Sequence, residues 1–288
     1  MAILLAMTTA VGWGAADYFG GDASRRKTPV FVIVAVTELL GLVPVVAILI
    51  ARGSPPPDNP RLLLAALSGV AVTVELGLIY RALAQGNAFI TAPIGALGSA
   101  AAVTLGLIGG DSLDLTIGIG LACALLGGAI STWTPPTTRT TSRGTTWHTA
   151  AICLGAAAAV AIMLTSLHGA GRVDPYWATA IERVSTALAA TFAALIISRG
   201  KLRRNLPPPH QLPILALIAA VGTGGDLAYT AASHQGGDLS VVSAISSLYP
   251  IATIMLARIL HSQHASRAQL VGISFALAGA TLLGAATS

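Results

Sequence analysis

Apolar segments of about 20 residues recur along the whole chain, and this recurrence limits the possible folds more than any other feature. The segments span residues 3–20, 29–51, 61–83, 88–108, 115–132, 149–167, 174–198, 212–234, 239–259 and 267–285. Charged residues make up 9% of the chain, whereas a soluble domain carries about 25%. The pattern therefore predicts a polytopic membrane protein.

Each of these segments is long enough to cross a bilayer as a helix. In lipid, only helices and closed barrels satisfy the backbone polar groups, and the alternation typical of barrel strands is absent from this sequence. The connectors are short and rich in proline, polar and basic residues, as in RGSPPPDNP and RGKLRRNLPPPH. We therefore predict an all-α integral membrane protein with ten transmembrane helices.

The distribution of lysine and arginine predicts the orientation of these helices. Connectors and helix ends on one side of the predicted membrane contain twelve of these residues, and those on the other side contain three. Cytoplasmic loops carry the excess of positive charge in most membrane proteins. We therefore expect a multi-pass protein of the plasma (inner) membrane, with both termini extracytoplasmic.

The two halves of the chain are similar when the numbering is shifted by about 151 residues. The third segment then falls on the eighth, and Glu75 falls on Asp226. Five helices per half is an odd number, so the halves must cross the membrane in opposite senses, as in many transporters. We predict an inverted repeat with a first unit at 1–133, a connecting loop at 134–148 and a second unit at 149–288.

Several short motifs occur in a characteristic order along the chain. The first segment contains GWGAADYFGG, the third ends in YRALAQGNA, and the ninth contains SSLYPIATIMLARIL with Pro250. The fifth and tenth contain the small-residue runs GIGLACALLGGA and VGISFALAGATLLGA. Over nearly the whole chain, this order resembles the drug/metabolite transporter superfamily in its ten-helix form with two EamA-type repeats.

This resemblance implies a secondary transporter that works by alternating access, with a central cavity lined by helices 1, 3, 4, 6, 8 and 9. We expect export of a small polar or cationic metabolite, such as an amino acid, an amine or a drug-like cation, with protons as the coupling ion. A lipid carrier or flippase of the same fold is the alternative. The expected oligomeric state is a monomer or a homodimer.

Acidic residues within apolar segments are the main candidates for a functional site. Each costs about 2.5–3.5 kcal/mol at the centre of the bilayer on insertion scales, so these side chains should face a cavity or a partner. Glu75 and Asp226 would lie at similar depths in an inverted repeat. Two carboxylates in one dry space repel each other, and a proton or a bound cation relieves that repulsion. We predict that both bind substrate or protons.

The first segment contains a second candidate group. Asp17 follows Trp13 by four residues, so the two side chains share one face of a helix. An acid beside an aromatic ring suits an amine or a quaternary cation. Either Asp17 belongs to the cavity, or it reaches water at the end of the helix.

Three further charged residues, Glu38, Glu182 and Arg183, lie in the middle of the second and seventh segments. Structural ion pairs are the favoured interpretation, because the resemblance places the cavity on other helices. If Arg183 faces the cavity instead, it could hold the carboxylate of an amino-acid substrate. Glu182 and Arg183 are adjacent, so they should not pair with each other.

Other polar side chains could contact substrate, namely Tyr80, Tyr229, Tyr249 and His234. The sequence contains no metal-ligand cluster, no phosphate-binding loop and no nucleophile–base spacing. We therefore expect no metal, no cofactor and no enzymatic activity. The net charge of +5 comes from scattered residues between apolar segments, so nucleic-acid binding is not expected.

Overall fold

The computed structural model describes residues 1–24, 28–84, 88–131, 146–198, 206–261 and 266–286, and every regular element in these ranges is helical. The helices are α1 (Ala2–Ser24), α2 (Val30–Arg52), α3 (Leu63–Ala84), α4 (Ala88–Ile108), α5 (Leu115–Ser131), α6 (Thr146–Gly171), α7 (Pro175–Ile197), α8 (Leu212–His234), α9 (Leu239–Ser246), α10 (Tyr249–His261) and α11 (Arg267–Ala286). The prediction of an all-helical protein is confirmed. Short 3₁₀ turns at Pro60–Leu62 and Pro209–Gln211 lead into α3 and α8.

The lengths of the helices fit a membrane-spanning protein. Within the described ranges, eight helical stretches are long and apolar enough to cross a membrane, counting Leu239–Leu260 as one stretch. Two further apolar stretches, Leu97–Ile108 and Leu115–Ser131, are shorter than this. Many large apolar side chains are exposed on the outside of the molecule, among them Ile50, Leu188 and Phe192. Such a surface is suited to contact with lipid rather than water.

The ninth apolar segment forms one candidate membrane span, but this span is divided into two helices. The segment forms α9 and α10, which are separated at Ser247 and Leu248. Pro250 has no backbone N–H, so it cannot donate to the carbonyl of Ser246 and continue α9. The N–H of Leu248 closes a tight turn instead by donating to the carbonyl of Ile245 at 3.1 Å.

The helices pack in an order that leaves space at the centre of the molecule. Helix α1 packs against α8, α9 and α10, and α3 packs against α6 and α7. Helix α2 packs against α7 and α8, while α4 contacts α6 and α9. Helices α5 and α11 pair with each other at the side of this group. The side chains that face the enclosed space form the site described below.

Small residues let α5 and α11 approach each other closely. A methyl group added at Gly127 would come closer than 3.0 Å to the backbone nitrogen of Ala276, and one at Gly279 would come equally close to that of Ala124. Helix interfaces in membranes use glycine in this way. In lipid there is no hydrophobic driving force between helices, so their association depends on close packing.

Candidate functional site

A central cavity of about 420 Å³ lies between helices from both halves of the chain. Its polar and aromatic lining consists of Trp13, Asp17, Glu38, Glu75, Ser99, Glu182, Arg183, Asp226, Ser247 and Tyr249. The cavity therefore involves α2 and α7 as well as the helices expected from the resemblance. The expectation that α2 and α7 contribute little to the lining is corrected, because Glu38 on α2 and the adjacent residues Glu182 and Arg183 on α7 line the cavity.

The guanidinium group of Arg183 joins three helices at the wall of the cavity. Nη1 donates to Oε2 of Glu38 on α2 at 3.0 Å, and Nη2 donates to Oδ2 of Asp226 on α8 at 2.5 Å. The side chain of Arg183 is only 2% exposed. A guanidinium can bridge two carboxylates because its donors form a planar fork. One positive charge is thus shared between two negative ones.

Gly41 on α2 makes room for this guanidinium group. A methyl group there would come closer than 3.0 Å to both Nη1 of Arg183 and Oγ1 of Thr223. Any larger residue at position 41 would therefore push the guanidinium away from Glu38. This role of Gly41 could not be predicted from the sequence, since a glycine in an apolar segment is common and only the fold shows what it faces.

Asp226 is also held by the first helix. The indole N–H of Trp13 donates to Oδ1 of Asp226 at 2.7 Å. The ring of Trp13 lies against Gly225, where a side chain would clash with the indole. Both oxygens of Asp226 therefore have donors, Trp13 on one side and Arg183 on the other.

Asp17 and Glu75 differ from Asp226 in their surroundings. Both line the cavity, and their charges interact with each other. Among the described residues, no lysine, arginine or histidine forms an ion pair with either of them. Asp17 is exposed to the cavity and Glu75 is half-buried. The structure thus brings the expected acids together, but it separates them into a paired group around Arg183 and an unpaired group.

Glu182 lies beside Arg183 in sequence but is not hydrogen-bonded to it. Its Oε1 accepts a hydrogen bond from Thr186 at 3.2 Å, and its Oε2 is buried without a hydrogen-bond partner in the described chain. Glu182 as a whole residue is 5% exposed. This arrangement agrees with the expectation that adjacent residues on a helix do not pair.

The remaining candidates occupy different places. Tyr249 lines the cavity, with its ring edge-on to Trp13 at 6.5 Å between centroids. Tyr229 is fully buried beneath Trp13, where its hydroxyl donates to the carbonyl of Leu164 at 2.9 Å. His234 is exposed at the end of α8 and does not line the cavity. The side chain of Tyr80 is outside the described part of the structure.

The site combines several carboxyl groups, one guanidinium held by two of them and two aromatic rings around one cavity. Clusters of three or more His, Cys, Asp or Glu residues that could hold a metal ion are absent from the described residues. The arrangement is suited to binding a positively charged species, because carboxylates outnumber the guanidinium and aromatic faces attract cations.

The comparisons with known proteins identify the family and the fold. The sequence pattern of the EamA-like transporter family matches residues 1–133 and 145–285. A solved structure described only as "Crystal structure of protein" has the same fold, with a TM-score of 0.71, 16% identity and 98% coverage of both chains. No curated protein matches the chain. Since the family pattern spans both halves, this chain belongs to the EamA-like transporter family of the drug/metabolite transporter superfamily and is a multi-pass membrane transporter.

Proposed function

We propose that this protein is a secondary transporter that exports a small organic cation across the plasma membrane in exchange for protons. One observation carries the proposal: five carboxyl groups and a single guanidinium line the central cavity within the described residues. Carboxylates that share a poorly solvated space repel one another, and a proton or a bound cation relieves that repulsion. An amine or a quaternary ammonium ion supplies the missing charge.

The position of Arg183 favours a cation over an amino-acid substrate. A substrate carboxylate would need a free guanidinium, but Arg183 is already bound to Glu38 and Asp226. An incoming carboxylate would also meet Glu38 and Asp226, which hold that guanidinium. The local field therefore opposes a negatively charged substrate group.

The unpaired acids and the aromatic rings define the cation site within the cavity. Asp17 and Glu75 supply negative charge that no described base neutralises, and Trp13 and Tyr249 supply aromatic surface. A cation over an aromatic face gains about 0.5–2 kcal/mol, more when it is desolvated. The cavity of about 420 Å³ falls within the range of about 300–1,000 Å³ for small-molecule sites.

The packing order supports alternating access by two inverted repeats. Suppose that the two repeats match helix by helix. Then α6 corresponds to α1, α7 to α2, α8 to α3, the α9–α10 pair to α4, and α11 to α5. Under this exchange the α1–α8 contact becomes the α3–α6 contact, and α2–α8 becomes α3–α7. The α2–α7 and α5–α11 contacts map onto themselves. A two-fold pattern of this kind allows one repeat to rock against the other.

Contacts between α5 and α11 follow the same exchange at the level of single residues. A shift of 152 places Gly127 on Gly279, and Ala124 on Ala276. Gly127 faces Ala276, and Gly279 faces Ala124, so each contact is the counterpart of the other. This register is within one residue of the shift that relates Glu75 to Asp226. The pattern supports repeat units close to 1–133 and 149–288.

Transport by proteoliposomes tests the proposal. Vesicles with a trapped pH dye would receive tetraethylammonium, choline, phenethylamine, alanine or adenosine in separate experiments. We expect at least one of the three cations to move protons through the wild type, and neither alanine nor adenosine to do so. Glu75→Gln and Asp17→Asn should abolish this flux, because each removes an unpaired charge from the cation site.

Asp58→Asn is the matched control for these variants. Asp58 is an exposed carboxyl in the connector after α2, outside the cavity lining, so its neutralisation should leave the flux unchanged. Proton flux with alanine alone, or unchanged cation flux in both cavity variants, would contradict the proposal.

A lipid carrier of the same fold is the second candidate, and one observation favours it. A cleft of about 890 Å³ opens between α2, α3 and α7, and its lining is almost entirely apolar, as at Val46, Val70 and Phe192. Such a cleft suits an acyl chain. However, none of its described lining residues is charged, so it offers no ion-pair partner for a headgroup. A fluorescent phosphatidylcholine assay of transbilayer movement distinguishes the two, and we expect no acceleration.

A further inference from the structure

We propose that Glu182 is the residue that binds the coupling proton of this transporter. The inference rests on the proposed function, since a coupling proton requires proton-linked transport. It also departs from the sequence-based expectation, which placed proton binding on Glu75 and Asp226. Three observations support it: the position of the side chain on α7, an unpartnered oxygen, and the charges around it.

The position of Glu182 separates it from lipid while keeping it at the cavity wall. The residue is 5% exposed, and it contributes to the lining. Helix α7 also packs closely against α3. A methyl group at Gly69 on α3 would clash with the backbone carbonyl oxygen of Glu182. The carboxyl group therefore exchanges protons with the cavity and not with the bilayer.

One oxygen of this carboxyl lacks the partner that an ionised group needs. Thr186 donates to Oε1 at 3.2 Å and also to the backbone carbonyl of Glu182 at 3.0 Å, so its single proton is shared. Oε2 is buried and has no hydrogen-bond partner among the described residues. A buried carboxylate with an unsatisfied oxygen is costly. A proton on Oε2 removes the charge that causes the cost.

The surrounding charges also favour a neutral Glu182. Three groups interact with it: Arg183 on the same helix, Glu38 on α2 and Asp226 on α8. Arg183 is already shared by the two carboxylates, so an ionised Glu182 would be a third negative charge beside one positive charge.

The other titratable groups near Glu182 lie on other helices, and they either line the cavity or have hydrogen-bond partners of their own. Glu75 on α3 and Asp17 on α1 line the same cavity and add negative charge. On α6, His168 is hydrogen-bonded to Ser233 at 2.9 Å. Among the described residues, Arg183 is thus the cation that interacts with Glu182.

The exchange step follows from this geometry. A substrate cation that binds beside Asp17 and Glu75 adds a positive charge to the cavity that Glu182 also lines. The O–H bond at Oε2 of Glu182 then breaks, the proton passes to water in the cavity, and the carboxylate that remains offsets the charge of the cation. One proton leaves for each positive charge that enters, so the charge of the site is unchanged.

Infrared difference spectroscopy tests this assignment without any substrate. A pH change applied to protein in lipid vesicles reveals the C=O stretch of each carboxyl that gains a proton. We expect Glu182→Gln to lose one carboxylic-acid band that the wild type and Asp58→Asn show. If every band of the wild type persists in Glu182→Gln, the assignment is wrong.

Two further variants separate this inference from the proposed function. Glu75→Gln should lose proton flux driven by tetraethylammonium, choline or phenethylamine and still show the Glu182 band. Glu182→Asp keeps a carboxyl at a shorter reach, so it should shift the frequency of the band, and it replaces Glu182→Gln if that variant does not fold. A band lost in Glu75→Gln and kept in Glu182→Gln would assign the proton to Glu75. Absence of cation flux in a wild type that shows the band would overturn the proposed function.

Discussion

The indole N–H of Trp13 donates a hydrogen bond of 2.7 Å to the carboxylate of Asp226, which joins α1 to α8 across the cavity. These residues are 213 positions apart in the chain. The contact fixes one oxygen of Asp226 while Arg183 fixes the other. The orientation of Asp226 therefore depends on donors from two different helices.

Trp13→Phe removes this donor and keeps an aromatic ring in its place. We expect the free energy of unfolding to fall by about 1.5–3 kcal/mol, the usual contribution of a hydrogen bond to a charged group. Unfolding by dodecyl sulfate in mixed micelles, followed by circular dichroism, measures the change.

Trp177→Phe is the control for ring size. The indole nitrogen of Trp177 is buried but has no hydrogen-bond partner in the described chain. Its loss relieves an unsatisfied donor, so the variant should lose less stability than Trp13→Phe. Equal losses in the two variants would show that ring volume, and not the bond to Asp226, accounts for the effect.

Removal of Arg183 should destabilise the protein strongly, because two carboxylates would remain without a counter-charge. We expect Arg183→Gln to cost about 3–5 kcal/mol, as for other buried ion pairs that lose one partner. The triple variant Arg183→Gln, Glu38→Gln, Asp226→Asn removes all three charges and should recover most of that loss. Unfolding in mixed micelles compares the two, and a triple variant less stable than Arg183→Gln would contradict the shared-charge arrangement.

The sequence predicted the helical segments well, because the hydrophobic thickness of a bilayer sets their length directly. It did not predict the break at Ser247. Pro44 lies inside α2, which remains continuous, whereas the segment with Pro250 divides into two helices. A proline can kink or end a helix, and the choice depends on packing that the local sequence does not contain.

The acids of the site could be identified from sequence, since each is expensive in lipid. The pairing of these acids could not be identified from the sequence. Arg183 reaches Glu38, which is 145 residues away, and one residue of helix rotation would redirect either side chain by about 100°. For the same reason, the predicted repeat could not reveal that Asp226 has Arg183 as a partner while Glu75 forms no ion pair among the described residues.

The close contact between α5 and α11 predicts equal effects from two glycine substitutions. Gly127→Ala and Gly279→Ala each place a methyl group against the backbone of the other helix. Overpacking of this kind costs about 1–3 kcal/mol. Gly284→Ala in α11 is the control, since a methyl group there meets nothing within 4 Å. Thermal unfolding in detergent measures all three, and a loss confined to one of the two contact positions would argue against the two-fold pattern.

An ion pair at the ends of α2 and α7 predicts a dependence of stability on pH. Arg52 donates to both oxygens of Asp174, and Asp174 also accepts from the backbone N–H groups of Tyr176 and Trp177. Partial burial raises the pKa of Asp174, but the hydrogen bonds from Arg52 and the helix backbone outweigh it and hold the pKa below its ordinary value of 3.8.

A carboxyl whose pKa is depressed in the folded state stabilises the protein above its unfolded pKa and loses that effect as pH falls through the folded pKa. Asp174→Asn removes the charge and keeps a residue that can cap α7. We expect the wild type to be more stable than this variant at neutral pH, by an amount that is constant down to about pH 5 and disappears below the ordinary carboxyl pKa. Thermal unfolding of both proteins across this range measures the difference. A difference that is unchanged in strong acid would mean that packing around Asp174, and not its charge, stabilises the junction.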